Sequence, residues 1–190
     1  GTEKMLERLA PDEARRTLGV RLAPDGNCDD QFKFMVNVAT EWGEHIRTGH
    51  LPRHLVWESM HTTILRTLLY PLPATTLSKK QCHQIMAPIL KYGLPCAGIV
   101  RMMPRDLVHG PQWYHGLGIP DLFLEQAIQH INKLVKFGQS QTITGKLLRS
   151  CLKQHGLEIG LPGSVMQLPY DNVGCLATKS WVQDTWSFLS

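Results

Sequence analysis

The chain has 190 residues, 43% hydrophobic and 19% charged. That is long enough for one domain, or two small ones, with a sizeable core, and too apolar for a disordered chain. Its formal charge is +4 with nine histidines and a pI near 8.9, a mildly basic balance that permits contact with nucleic acid without demanding it.

The opening residues 1–26 hold a short charged helical stretch and then "RTLGVRLA", apolar and closed by the turn signal Asp25-Gly26; residues 16–23 read as a strand or hairpin arm. From Asn27 the pattern turns helical. Asn27 is the expected N-cap, with Asp29 and Asp30 in the first turn. Met35, Val38, Ala39, Trp42 and Ile46 form one apolar stripe, and Gly49 and Pro52 end the element. A second helix is expected from Arg53 to about Leu69, with Val56, Met60, Ile64 and Leu68 on one side and Pro71 and Pro73 as its stop. Ser78 and Gln81 match a capping box, with Leu77 and Cys82 placed as a hydrophobic staple. They predict a helix over 79–91, with Pro88 marking a kink or an early end.

Residues 93–120, rich in glycine and proline, read as a long irregular connection with one helical turn near Arg105. Loops of that length in a compact domain are often functional. The next helix is expected to start at Pro120, a favoured first position. Its apolar face is Leu122, Phe123, Ala127, Ile128, Ile131, Leu134 and Val135. Another helix is expected over 141–154, an irregular stretch over 156–177, and a terminal helix capped by Thr178. The expected product is mainly α, a bundle of about five to six helices with long irregular connections, preceded by a short β-strand or hairpin. Three units follow: residues 1–26, a helical body 27–137, and a C-terminal helical extension 138–190 packed on the same domain.

No self-sufficient active site stands out. Asp29-Asp30 sits at a helix start rather than in a strand-turn-strand setting, so it reads as a pair complementing the helix dipole. Gly116 and Gly118 begin a G-x-G, but Asp121 stands where the dinucleotide fingerprint needs its third glycine. "ITGKLL" lacks the rest of a P-loop. The five cysteines (Cys28, Cys82, Cys96, Cys151, Cys175) form no CxxC pair, so they read as free thiols, not as a zinc site. The histidines are scattered, and a Cys–His catalytic pair is left open because such partners meet only in the fold. No apolar run reaches the roughly 20 residues of a transmembrane helix, and Gly1-Thr2-Glu3-Lys4 is no signal peptide. The expected setting is intracellular, nuclear or cytoplasmic, not secreted, with no membrane partner.

A binding surface remains. Basic residues come in small groups along the chain, among them Arg15, Arg16 and Arg21, then Arg101 and Arg105. Groups spread in this way suit a phosphate backbone, although they also suit the solvated faces of ordinary helices. Trp113 and Tyr114 follow within about ten residues of the second group. Arginines pair with phosphates and aromatic faces stack on bases, but burial against the helices is the favoured reading of Trp113.

The segments "RRTLGVRLAPDG", "LLYPLPATTLSKKQCHQI", "PRDLVHGP" and "GLGIPDL", in that order, together resemble the region just after the catalytic palm in reverse transcriptases of non-LTR (LINE-like) retroelements. The resemblance covers about residues 14–137. It implies that this chain is the primer-grip strand and the thumb or connector of an RNA-directed DNA polymerase. Leu18 and Gly19 would then help to seat the primer terminus. Arg15, Arg16, Arg101 and Arg105 would contact an RNA–DNA or DNA duplex through its backbone, and Gly116, Gly118 and Pro120 would shape a structural turn. The partner would be the upstream fingers and palm of the same polyprotein. That palm would supply the catalytic aspartates and bind Mg2+, so this segment holds no catalytic residue, no metal and no cofactor, and is expected to be inactive alone. His115 departs from the family pattern, which has glycine there. Two other readings stand beside this one: a helical protein-interaction or scaffold domain with no nucleic-acid role, and a hydrolase or transferase built from dispersed His and Cys residues.

Overall fold

A computed structural model describes residues 10–160, 164–178 and 180–190. It is mainly helical, with a short hairpin at the front. Strands β1 (Arg15–Thr17) and β2 (Val20–Leu22) pair antiparallel, Arg15 opposite Leu22, Arg16 opposite Arg21 and Thr17 opposite Val20. An isolated two-stranded hairpin is marginal in water. This one is anchored by buried Val20 and by the Arg21 N–H, which donates to the buried Gln31 side chain at 2.7 Å.

Helix α1 (Asp29–Thr48) starts one residue later than a cap at Asn27 implies, with Cys28 at the cap position. Asn27 still accepts the Asp29 N–H at 2.8 Å, and Asp29 and Asp30 lie in the first turn, where the dipole favours them. Met35, Ala39 and Ile46 of the expected stripe are buried, with Val38 and Trp42 packed beside them.

Helix α2 runs over 53–69 as Arg53–Ser59, a π-helical turn Met60–Ile64, and Leu65–Leu69. The π turn answers a phase problem. Val56, Met60, Ile64 and Leu68 repeat every four residues, and each such step over-rotates an α-helix by roughly 40°. A locally wider turn absorbs that drift, and all four side chains end up buried. Helix α3 covers 79–96 in the same manner: Lys79–Pro88, a π turn Ile89–Gly93, and Leu94–Cys96. Its capping box is present, with Ser78 Oγ accepting from the Gln81 N–H and Gln81 Oε1 accepting from the Ser78 N–H. Pro88 neither ends nor stops the helix. The backbone widens immediately after it, which relieves the clash a proline ring makes with the carbonyl four residues back, and the helix continues five residues past the expected end at Lys91.

Helix α4 (Arg105–His109) is the single turn expected near Arg105. Helix α5 (Leu122–Phe137) corrects the sequence reading twice. Pro120 is not its first residue: Asp121 is the N-cap, its Oδ1 accepting from the N–H of Phe123 at 2.8 Å and of Leu124 at 3.4 Å. Its buried face is Leu122, Gln126, Ala127 and His130, while Ile128 and Val135 are exposed. Gln126 is drawn inside because its amide pairs with the Leu77 main chain in both directions (Leu77 N–H to Oε1, 2.9 Å; Nε2 to Leu77 O, 3.0 Å) and accepts from Thr75 Oγ1. These partners come from a segment about fifty residues away and satisfy a buried amide that would otherwise be costly.

Helix α6 (Ile143–Ile159) is capped by Thr142 and runs five residues beyond the expected end. Helix α7 (Tyr170–Val173) is short. Helix α8 (Trp181–Leu189) is capped by Ser180, whose side chain accepts from the Gln183 N–H, and not by Thr178, whose own N–H is held by Glu158. The main core unites α1, α2, α3 and the start of α5 around Met35, Ile64, Leu68, Ile85 and Leu122. A smaller cluster gathers Ile159, Val165 and Ala177 around Trp186, whose Nε1–H donates to Leu168 O at 2.7 Å. Edge-to-face contacts of Phe123 with Phe188 and of His130 with Trp181 join α8 to α5. No helix among the described residues is long and apolar enough to cross a membrane.

Candidate nucleic-acid interface

The hairpin tip carries its own conformational tension. Leu18 and Gly19 form the two-residue turn with φ of 50° and 89°, the doubly left-handed turn whose twist matches short hairpins. Glycine takes this conformation freely; leucine does not, at a cost of about 1–2 kcal/mol. Leu18 recovers none of this by packing, since it is 88% exposed. What fixes the tip is Tyr70, beyond the end of α2: its hydroxyl donates to Leu18 O at 2.7 Å and its ring lies beside Gly19.

Charge is concentrated on the same element. Arg16 and Arg21 stand directly across the ladder, a like-charge pairing that is unfavourable without a counter-ion. The Arg21 guanidinium lies 4.9 Å over the Phe34 ring; Arg16 meets no carboxylate within ion-pair distance among the described residues. Arg16, Gly19, Gln31, Phe34, Thr67 and Tyr70 line a cleft of about 270 Å³ between the hairpin and α1–α2. Arg15 lies on the same strand.

The connection between α3 and α5 presents the second group. Arg101 and Arg105 are exposed, and neither side chain makes a hydrogen bond or ion pair among the described residues. Trp113 and Tyr114 lie on a single 3-10 turn, 78% and 76% exposed, their rings 6.2 Å apart. The expectation that Trp113 packs inward is therefore wrong. The loop is closed instead by backbone and small residues. The N–H groups of Leu117, Gly118 and Ile119 donate to the carbonyls of Leu107, Gly110 and Val108, while Val108 and Ile119 fill the interior. Gly116 approaches Gly110 so closely that a Cβ there would lie 2.1 Å from the Gly110 oxygen. Gly116 is thus required by a close approach of two main-chain stretches within the loop. Gly118 takes a left-handed φ of 65°, and so does His115, at 61°. His115 thus occupies a conformation that glycine adopts without strain. Leu18, Gly19 and the arginines occupy two separate elements, the hairpin and the α3–α5 connection.

A stronger electrostatic feature is the segregation of acids. Between Glu58 and Asp106 the chain has no carboxylate but carries Arg66, Lys79, Lys80, Lys91, Arg101 and Arg105; between Glu125 and Glu158 it has none but carries Lys133, Lys136, Lys146, Arg149 and Lys153. Counting acids along the chain, instead of grouping the bases, reveals it. Two side-chain ion pairs occur among the described residues, Lys33–Asp30 and Arg47–Glu44, both within α1. None of the cations of the acid-free segments takes part in these two ion pairs, although Lys91 lies near enough to Glu44 to help hold its carboxyl below the usual range; phosphate is a favourable counter-charge for such cations.

Groups with perturbed protonation lie elsewhere. Burial pulls the His130 pKa down to about 4, with the nearby Lys133 charge acting in the same direction. Burial also lowers Lys133, whose ammonium donates to the Pro73 carbonyl, and lowers His61, with Arg66 as a second cause. The Cys82 thiol is pushed up to about 12 by burial, which leaves it a protonated, inert core group. His155 Nε2 lies 2.9 Å from Ser180 Oγ, but that oxygen also caps α8, so the pair has a helix-capping role. No cluster of three or more His, Cys, Asp or Glu residues that could hold a metal occurs among the described residues. No protein-family model, curated protein or solved structure matches the chain.

Proposed function

We propose that this chain is the duplex-holding thumb or connector segment of a retroelement reverse transcriptase, gripping an RNA–DNA or DNA duplex through its backbone without reading sequence. The observation that carries the reading is the hairpin: a strained, solvent-facing Leu18-Gly19 tip, pinned by Tyr70, beside two opposed arginines. Strain of this kind persists where the surrounding structure enforces it and clusters at functional sites. The acid-free cationic segments, with Arg101 and Arg105 exposed, support the same reading, because phosphate contacts position a duplex and need no base-specific groups. Catalytic aspartates and Mg2+ belong, on this reading, to the fingers and palm that precede this segment in the polyprotein.

The test is fluorescence anisotropy of a labelled RNA–DNA hybrid at several salt concentrations. Log affinity should fall linearly with log salt, by roughly 0.7–0.9 per phosphate neutralised. Arg16→Glu and the double change Arg101→Glu/Arg105→Glu should each weaken binding and flatten that slope. Undetectable or salt-independent binding by folded protein refutes the proposal. One observation favours a second reading, a protein-interaction domain: Leu124, Ile128 and Val135 form an exposed apolar stripe on α5.

A further inference from the structure

A large cavity lies away from both arginine groups. It measures about 920 Å³ and is bounded by the 25–29 turn, the 73–76 segment, α5, α6 and the start of α8. That volume is near the upper end for small-ligand sites, which are mostly apolar with a few convergent polar groups. Three observations restrict what it can hold. Phe137 and Trp181 give it aromatic wall, and the Trp181 indole is fixed edge-on against His130 at 5.7 Å. Lys133 is its cation: half-buried, bonded to a neutral carbonyl, and with no carboxylate within ion-pair distance among the described residues. An ammonium has three N–H donors, so two remain, and a partly desolvated charge without a counter-ion is unfavourable. On the 25–29 turn the same cavity presents Asp25 and Asp29 as acceptors.

An anion alone would satisfy Lys133 but not the aromatic wall or the two carboxylates; an apolar ligand would leave all three charges unanswered. We propose that this cavity binds a nucleoside monophosphate, as a free nucleotide or as the terminal nucleotide of a strand. The phosphate meets Lys133, the base lies on the aromatic wall, and the amino edge of the base faces the carboxylate side. Guanine carries adjacent N–H donors on one edge and so offers this side the most donors; Asp25 Oδ1 already accepts from the Asn27 N–H at 2.8 Å, which leaves its other oxygen and the Asp29 carboxylate to receive them. This inference does not rest on the duplex-holding reading, and the residues it uses are not those of the hairpin or of the α3–α5 connection.

The probes are guanosine 5′-monophosphate, guanosine and a 5′-phosphorylated trinucleotide, each titrated into the full chain by calorimetry, with the Trp181 indole N–H followed by NMR. The monophosphate should bind with one-to-one stoichiometry, shift the Trp181 signal and exceed guanosine in affinity about ten-fold or more, as a charge-assisted contact does. Lys133→Met should remove that advantage and leave guanosine binding unchanged. Leu147 is an exposed rim residue, so Leu147→Trp should block the cavity without unfolding the protein, and it carries the test if the Lys133 variant does not fold. A trinucleotide that binds more tightly than the monophosphate assigns the site to strand ends; weaker binding assigns it to free nucleotides. Equal affinity for monophosphate and guanosine, no binding to folded protein, or binding that survives Leu147→Trp overturns the proposal. Hybrid binding by Leu147→Trp separates this outcome from failure of the duplex reading.

Discussion

Acid should loosen this protein through one buried histidine. His130 is 2% exposed, and burial lowers its pKa from the ordinary 6.5 to about 4. In the unfolded chain it takes up a proton near its ordinary value; in the folded chain it stays neutral until far lower pH. Between the two values the unfolded state binds more protons, so stability is complete above that window and is lost as pH falls through it. At 1.36 kcal/mol per pKa unit, the whole window is worth about 3 kcal/mol, and the portion between about pH 7.5 and pH 5 roughly 2 kcal/mol. Urea denaturation at several pH values, followed by tryptophan fluorescence, measures it. His130→Gln keeps a polar side chain but cannot titrate. It should be less stable than the parent at the upper pH, and the gap should narrow by roughly 2 kcal/mol towards the lower. His61, also lowered by burial, titrates in both proteins and cancels in the comparison. Parallel stability curves for the two proteins would refute the reasoning, because they would mean that His130 protonates as readily folded as unfolded.

Other substitutions probe separate joints. Gln126→Leu removes both bonds to the Leu77 main chain and the one from Thr75; leaving a buried N–H and C=O unpaired should cost about 3 kcal/mol in thermal or urea denaturation. Leu18→Asn puts at the turn a residue that tolerates left-handed backbone and should stabilise the fold by about 0.5–1 kcal/mol. If the tip is also a contact, the same variant should bind the hybrid less well, so stability and affinity move in opposite directions. Gly116→Ala must displace the Gly110 carbonyl and should destabilise by roughly 2–4 kcal/mol, a loss visible as early exchange of the Leu117 and Ile119 amides.

Much of the helical frame was legible because it is written locally. The stripe from Met35 to Ile46, the four-residue repeat from Val56 to Leu68 and the Ser78–Gln81 box each state an element within a few residues of chain. What escaped depends on partners far away. Gln126 and His130 look like surface residues until Leu77 and Trp181 are brought to them, and Ile128 and Val135 look like core until the opposite face of α5 is seen to be filled. Pro88 reads as a kink or an early end because nothing local announces that the next turn will widen. Trp113 reads as packing the loop against the helices, yet Gly110 and Gly116 let two stretches of main chain meet where a side chain would otherwise be needed. At the hairpin the strand or hairpin arm is legible in the sequence, but the brace from Tyr70 is not, because it spans 52 positions. The acid-free segments needed no structure at all, only attention to the residues that are missing.

Two hydrogen bonds make the hairpin a lever with no free joint. Gln31 holds it near the root, through the Arg21 amide, and Tyr70 holds it at the tip, through the Leu18 carbonyl. A beam supported at one end bends under load; one supported at both ends transmits the load to its mounts. The mounts here are buried Gln31 in the first turn of α1 and Tyr70, an exposed residue that directly follows Leu69, which packs on the main core. A force on Leu18 is therefore delivered to the helical body as compression or shear and not absorbed by swinging of the arm. Cutting the outer mount, as Tyr70→Phe would, leaves an arm of the same sequence that is compliant instead of stiff.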